Sequence, residues 1–142
     1  MPSGRATEPV TVLIVDDDDE MRTVIRAFLE REGYRVLERD SADDALVALD
    51  ALRPDVIILD RVMPGLSGPD LLALLGRQRS GIPVILITAF GGPDAEADAS
   101  RRGAAWYLEK PFRMSTVVQA VARLTRRPHA SPPSADDAME FP

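Results

Sequence analysis

Three short runs of β-branched and leucine residues constrain this chain most: Val10-Thr11-Val12-Leu13-Ile14-Val15, Val56-Ile57-Ile58-Leu59 and Val84-Ile85-Leu86-Ile87. A strand with one wet face alternates apolar and polar residues, and these do not. They read as strands covered on both faces, which is the environment of a parallel sheet. Parallel neighbours cannot be joined by a tight hairpin, so each pair needs a crossover, usually a helix.

The segments between the runs supply those crossovers. Met21, Val24, Ile25, Phe28 and Leu29 fall at i, i+3, i+4, i+7 and i+8, one face of a helix, and Gly33 reads as its stop. Tyr34 to Glu38 reads as a second strand. Ser41 with Asp44 three residues on resembles a capping box opening a helix through Leu52, and Pro54 closes that unit. A third helix starts near Pro69 and carries Leu71, Leu72 and Leu75, with Gly81-Ile82-Pro83 before the next strand. Pro93 to Arg102 forms a fourth helix before Gly103, Ala105 to Leu108 a fifth strand, and Ser115 caps a last helix carrying Val117, Val118, Val121 and Leu124. Five β-α units imply a doubly wound, three-layer α/β/α sandwich. Residues 1–9 read as an N-terminal arm, 10–126 as one domain, and 127–142, with Pro128, Pro132 and Pro133 and no apolar period, as a disordered tail or linker.

Charge is concentrated at one junction. Asp16-Asp17-Asp18-Asp19-Glu20 follows the first strand directly, and setting that run aside leaves 18 acids against 17 bases in a chain whose formal net charge is -6. With no basic excess, direct nucleic-acid binding by this chain is not expected. There is no cysteine for a disulfide or a thiolate metal site. No secretory signal and no stretch long enough to span a bilayer is present, so the expected compartment is the cytoplasm, with no membrane partner.

The chemistry emerges at the strand ends. Asp16 and Asp17 end the first strand, Asp60 the third, Thr88 the fourth and Lys110 the fifth. Ligands of open α/β sheets bind at this carboxyl edge. Three carboxylates brought together repel, and a hard divalent cation relieves the repulsion; oxygen ligands that leave room for retained water suit Mg²⁺. Lys110 adds positive charge and Thr88 a hydroxyl donor, so the set can accept and stabilise a phosphoryl group. Asp18, Asp19 and Glu20 meet the positive end of the first helix dipole.

The pieces Leu13-Ile14-Val15-Asp16-Asp17, Ile58-Leu59-Asp60-Arg61-Val62-Met63-Pro64 with Gly68, Ile87-Thr88-Ala89 and Lys110-Pro111-Phe112 resemble the receiver domains of two-component response regulators, over about Thr11 to Leu124. The resemblance implies a flavodoxin-like five-stranded sheet of order 2-1-3-4-5 with five helices. It implies that Asp60 is the phosphoacceptor, taking the group from the phosphohistidine of a sensor histidine kinase or phosphotransfer protein. Asp17, Asp60 and the Val62 carbonyl would ligate Mg²⁺, with Asp16 acting through water. Lys110 and Thr88 would hold phosphoryl oxygens, and Tyr107 would turn inward as Thr88 moves. A cis Lys110-Pro111 bond is also implied. Such a protein is a switch rather than a turnover enzyme, although it assists its own phosphorylation and dephosphorylation. Its output, to a partner that the sequence does not name, runs through the fourth helix, fifth strand and fifth helix, a face that also suits a homodimer.

Two other readings of the same residues stand beside it: a degenerate receiver that acts as a phosphorylation-independent interaction module, and the N-terminal receiver of a longer transcriptional regulator. An aspartyl phosphatase would want a second acid two residues after Asp60, where Val62 stands. A mononucleotide fold would want a glycine-rich loop where the acidic run stands.

Two departures from more polar relatives carry expectations. The fourth helix has alanines but no large apolar residue, and it follows a Gly91-Gly92 pair read as mobile; it is expected to be short, frayed or displaced before phosphorylation. Val62 and Phe90, two residues after the acceptor and two after the threonine, have no side-chain group to orient water. The aspartyl phosphate is therefore expected to be long-lived, and a Val62→Asn, Phe90→Glu double variant should lose phosphate faster than wild type; equal rates of loss would sink the idea.

Overall fold

A computed structural model describes residues 9–61, 68–77, 81–89, 91–125 and 140–141. Five parallel strands, β1 (Thr11–Val15), β2 (Arg35–Arg39), β3 (Val56–Asp60), β4 (Val84–Thr88) and β5 (Trp106–Glu109), form one sheet in the order β2-β1-β3-β4-β5. Helices α1 (Asp19–Arg31), α2 (Ala42–Leu49), α3 (Gly68–Arg77), α4 (Pro93–Arg101) and α5 (Met114–Thr125) connect and flank them. The apolar runs are buried as their composition demands: every residue of β3 and β4 is buried, and so are Val12 to Val15 of β1.

Strand pleating divides those runs between two cores. Val12 and Ile14 of β1, Ile58 of β3 and Ile85 and Ile87 of β4 pack with Met21, Ile25 and Leu29 of α1 and Val117, Val118 and Val121 of α5. Leu13 and Val15, Ile57 and Leu59, and Leu86 face the other way, onto Ala42 and Ala45 of α2, Leu71, Leu72 and Leu75 of α3, and Ala99 of α4. The expected three-layer sandwich and strand order are both present.

Local signals set most element ends. Asp18 caps α1, its carboxylate accepting from the Glu20 and Met21 amides at 3.0 and 3.2 Å, which stabilises a helix by about 1 kcal/mol. Asp19 and Glu20 occupy the first turn, where the helix dipole favours negative charge. Gly33, at φ 94°, follows the end of α1 as expected. Ser41 caps α2 by accepting from Asp44 N–H at 3.1 Å, but the helix ends at Leu49, three residues before the expected Leu52. Ser115 is not a cap. The helix α5 already begins at Met114, whose side chain is buried, because Phe112–Arg113 before it forms a short strand, β6. That strand pairs antiparallel with β7 (Glu140–Phe141), inside the stretch read from sequence as a tail.

Helix α4 forms in place over nine residues with Pro93 in its first turn. Its N-cap is Gly92, which offers no side-chain hydrogen bond, and Ala99 is its one buried residue. Three large apolar side chains anchor α1 by contrast. Each methyl that stands where a leucine would be buried gives up about 1 kcal/mol or more. Amides in Pro93–Arg101 should therefore exchange hydrogen faster than those of Met21–Leu29; equal protection in the two segments would refute this account of α4.

Candidate functional site

The site lies where the central strands end. Val15 of β1 pairs with Leu59 of β3, so the next residues, Asp16 and Asp60, emerge side by side. Asp60 pairs with Ile87 of β4, and Thr88 pairs with Glu109 of β5, so the polar residue of each successive strand comes one step further along. Backbone bonds hold this stagger: Arg61 N–H donates to the Ile87 carbonyl and Lys110 N–H to the Thr88 carbonyl, both at 2.8 Å. The Lys110-Pro111 bond is cis, as the motif implied.

Asp16, Asp60 and Thr88 are buried, Lys110 is half-buried and Asp17 is exposed. Asp16, Asp17 and Asp60 each bring a carboxylate oxygen within 4.8 Å of the others. An all-oxygen donor set with one member open to water fits a hard divalent cation. Val62, expected to add a backbone carbonyl, and Phe90, expected to influence water access, lie outside the described residues.

The charges strain against burial. Burial pushes the Asp16 carboxyl up from 3.8 to about 7; the Asp18 amide, which donates to Asp16 Oδ1 at 2.9 Å, works against that rise, Asp60 and Asp17 add to it, and Lys110 opposes it. Tyr107 packs against the core beneath α4, its hydroxyl buried and without a hydrogen-bond partner among the described residues. Burial and then the charge of Glu109 hold its phenol above the usual range.

Two features went unnoticed in the sequence. Glu109, between Leu108 and Lys110, reaches across to the β4-α4 loop and accepts from Gly92 N–H at 2.8 Å. A Cβ on Gly91 would sit 2.2 Å from the Glu109 carboxylate carbon, so only glycine leaves that side chain where it is. The glycine pair expected to be mobile is thus tied to β5. Arg22 is the second: its guanidinium, 12% exposed, bonds the Asp16 carbonyl, Asp19 and Glu38 together. Its spacing of three from Asp19 was visible; Glu38, 16 residues away, was not.

The family model for the response regulator receiver domain matches residues 12–122. Among curated proteins, the chain is 34% identical over 131 residues to the transcriptional regulatory protein FixJ of Rhizobium meliloti, covering 92% of this chain and 64% of that one. It is 36% identical over 119 residues to the phosphate regulon transcriptional regulatory protein PhoB of Pseudomonas aeruginosa, covering 82% of this chain and 52% of PhoB. The chain thus spans only part of the length of the curated relatives it matches, about half in the case of PhoB. Among solved structures, the receiver domain of the Francisella response regulator 1452 superposes with a TM-score of 0.80 at 29% identity, covering 84% of this chain and 98% of that one.

The raised Asp16 carboxyl has a consequence for stability. The unfolded chain loses this proton near 3.8 and the folded one keeps it to about 7, so the folded state binds more protons between those values. The contribution of Asp16 is therefore present at acid pH and is lost as pH rises through about 7. In metal-free buffer the urea midpoint of the wild type should fall between about pH 5 and about pH 8 by more than that of Asp16→Asn; parallel profiles would show that Asp16 is not under this strain.

Proposed function

The chain belongs to the response regulator receiver domains, and from that premise we propose that it is a phosphorylation-controlled switch whose acceptor is Asp60. The observation that carries this reading is the meeting of the Asp16, Asp17 and Asp60 carboxylates at the carboxyl edge of the sheet, with Thr88 and Lys110 on the next strand ends. Residues 10–126 would be the working unit and 127–142 a tail or linker.

A carboxylate oxygen of Asp60 attacks the phosphorus of a phosphohistidine on a histidine kinase or phosphotransfer protein. The new P–O bond gives an acyl phosphate as the P–N bond breaks, and the departing imidazole nitrogen keeps the electron pair. The donor residues of the cluster suit Mg²⁺, which Asp17, Asp60 and the Val62 carbonyl would hold, with Asp16 acting through water; when bound it would neutralise carboxylate charge and polarise the phosphoryl oxygens. Lys110 offsets the charge that builds on the transferred group, and the Thr88 hydroxyl donates to one of its oxygens. Asp60 itself is buried at the end of an apolar strand, which limits the access of bulk water to the new bond.

Thr88, Tyr107 and the loosely anchored α4 then form a connected path to the surface. Movement of Thr88 toward the phosphoryl group would open space beside the half-buried Tyr107, and α4 is the flanking helix with least apolar anchorage to resist the change. The face of α4, β5 and α5, where Arg123 lies over the Trp106 ring at 6.0 Å, would be the output and homodimer surface. The group is accepted once per activation, so the protein is a stoichiometric acceptor rather than a turnover enzyme. Among the described residues no helix is long and apolar enough to cross a membrane; we place the domain in the cytoplasm with its kinase. Its relatives FixJ and PhoB are named as transcriptional regulators, and this chain would act either alone through protein contact or as the receiver of such a regulator.

Incubation with acetyl phosphate and Mg²⁺ should add the mass of one phosphoryl group to the intact wild-type chain and none to Asp60→Ala. Chelation of the metal should suppress the adduct. A wild type that takes up no phosphoryl group from acetyl phosphate or from phosphohistidine donors would favour the phosphorylation-independent interaction module.

A further inference from the structure

The Asp17 carboxylate is the exposed member of the cluster, and it takes no hydrogen bond from any described residue. Its placement therefore depends on the backbone that carries it. The peptide unit joining Asp16 to Asp17 is planar, so whatever fixes the Asp16 carbonyl fixes the direction in which the chain enters Asp17. Arg22 does this: its Nη1 donates to that carbonyl oxygen from the first turns of α1. The same guanidinium uses Nη2 on Asp19 and Nε on Glu38 Oε1, the latter at 3.0 Å.

Strand β2 therefore holds both ends of Asp16. Its N–H donates to the Arg39 carbonyl at 3.2 Å, and its C=O is tied through Arg22 to Glu38, the residue before Arg39. Glu38 is itself held on its other oxygen by Arg26 Nη1 at 2.6 Å, and Arg26 Nε bonds Glu30 at 3.0 Å. Arg22 is the inner member of this network, with 12% of its side chain exposed against 45% for Arg26. A rigid planar fork can serve one carbonyl and two carboxylates at once.

We propose that Arg22 is a positioning residue for phosphoryl acceptance: by fixing the Asp16-Asp17 peptide, with Glu38 as its anchor, it places the Asp17 carboxylate as a ligand for the divalent cation. This rests on the reading of the acidic cluster as a cation site. It also sets the sign of an effect. Arg22 carries positive charge close to a site for positive charge, so electrostatics alone predicts that removing it tightens cation binding. Positioning predicts the reverse.

The test is Mg²⁺ binding to the full chain by titration calorimetry, alongside urea unfolding in chelator to isolate any cost to the fold. Arg22→Met should weaken Mg²⁺ binding about tenfold or more, as loss of the residues that orient metal ligands does. Arg22→Lys should recover only part of the loss, since an ammonium cannot span the three acceptors, and it carries the same test should Arg22→Met fail to fold. Arg26→Gln breaks the outer part of the same network without touching Asp16, and should leave the Mg²⁺ affinity within about twofold of wild type. Wild-type or tighter affinity in Arg22→Met and Arg22→Lys, or equal weakening in Arg26→Gln, would overturn the proposal. A wild type that binds no Mg²⁺ would instead remove the cation site itself, and the role of Arg22 with it.

Discussion

Everything at the carboxyl edge follows from the pairing of β1 with β3. Val15 and Leu59 are buried partners in that ladder, and a slip of one residue would turn every apolar side chain of a strand onto the wrong core. Hydrophobic burial along the two strands therefore fixes the register, and the register brings Asp16 beside Asp60 whatever their charges prefer. Burial comes first in pushing the Asp16 carboxyl up, and the charges of Asp60 and Asp17 add to it. The apolar sheet holds an arrangement that the carboxylates alone would disperse, and a cation, where bound, relieves a repulsion already built in. Such strain is a common price of a reactive site.

The fold was legible because its cause is local. Uninterrupted β-branched runs can be satisfied only between two layers, and the 3.6-residue spacing of Met21, Ile25 and Leu29 could only be one helix face. The polar residues of the site were legible for the same reason: once the strands are placed, Asp16, Asp60, Thr88 and Lys110 must share an edge. The misread ends have tertiary causes. Ser115 looks like a cap in isolation, yet the short β6 strand and the burial of Met114 start α5 two residues earlier than such a cap would. Gly91-Gly92 looked mobile because nothing nearby in sequence reveals Glu109, which arrives from β5 to accept from the Gly92 amide. Arg22 drew no notice in the sequence, since its partner Glu38 lies 16 residues away on β2.

The two ends of the sheet's carboxyl edge are built differently, and the difference fits a receiver. On the β1 side, the acidic turn is held by the Asp18 cap, the Asp18 amide on Asp16, and the Arg22 and Arg26 network onto Glu38. On the β4 side, α4 buries a single alanine and lacks a side-chain cap, and its loop is held by the Glu109 bond to Gly92. A phosphoryl group bound between them would press equally on both. Strain relaxes where opening costs least, and large apolar anchors oppose it on the β1 side, whereas the ion pairs of α4, Asp98 with Arg101 and Arg102, stay within that helix and its cap. On the proposed reading the rigid side would keep Asp60 and its neighbouring carboxylates in register, while the yielding side, where the buried Tyr107 hydroxyl has no hydrogen-bond partner among the described residues, would take up the change. Direction in such a domain thus comes from where leucine and arginine were placed and where alanine and glycine were, rather than from the chemistry at the acceptor.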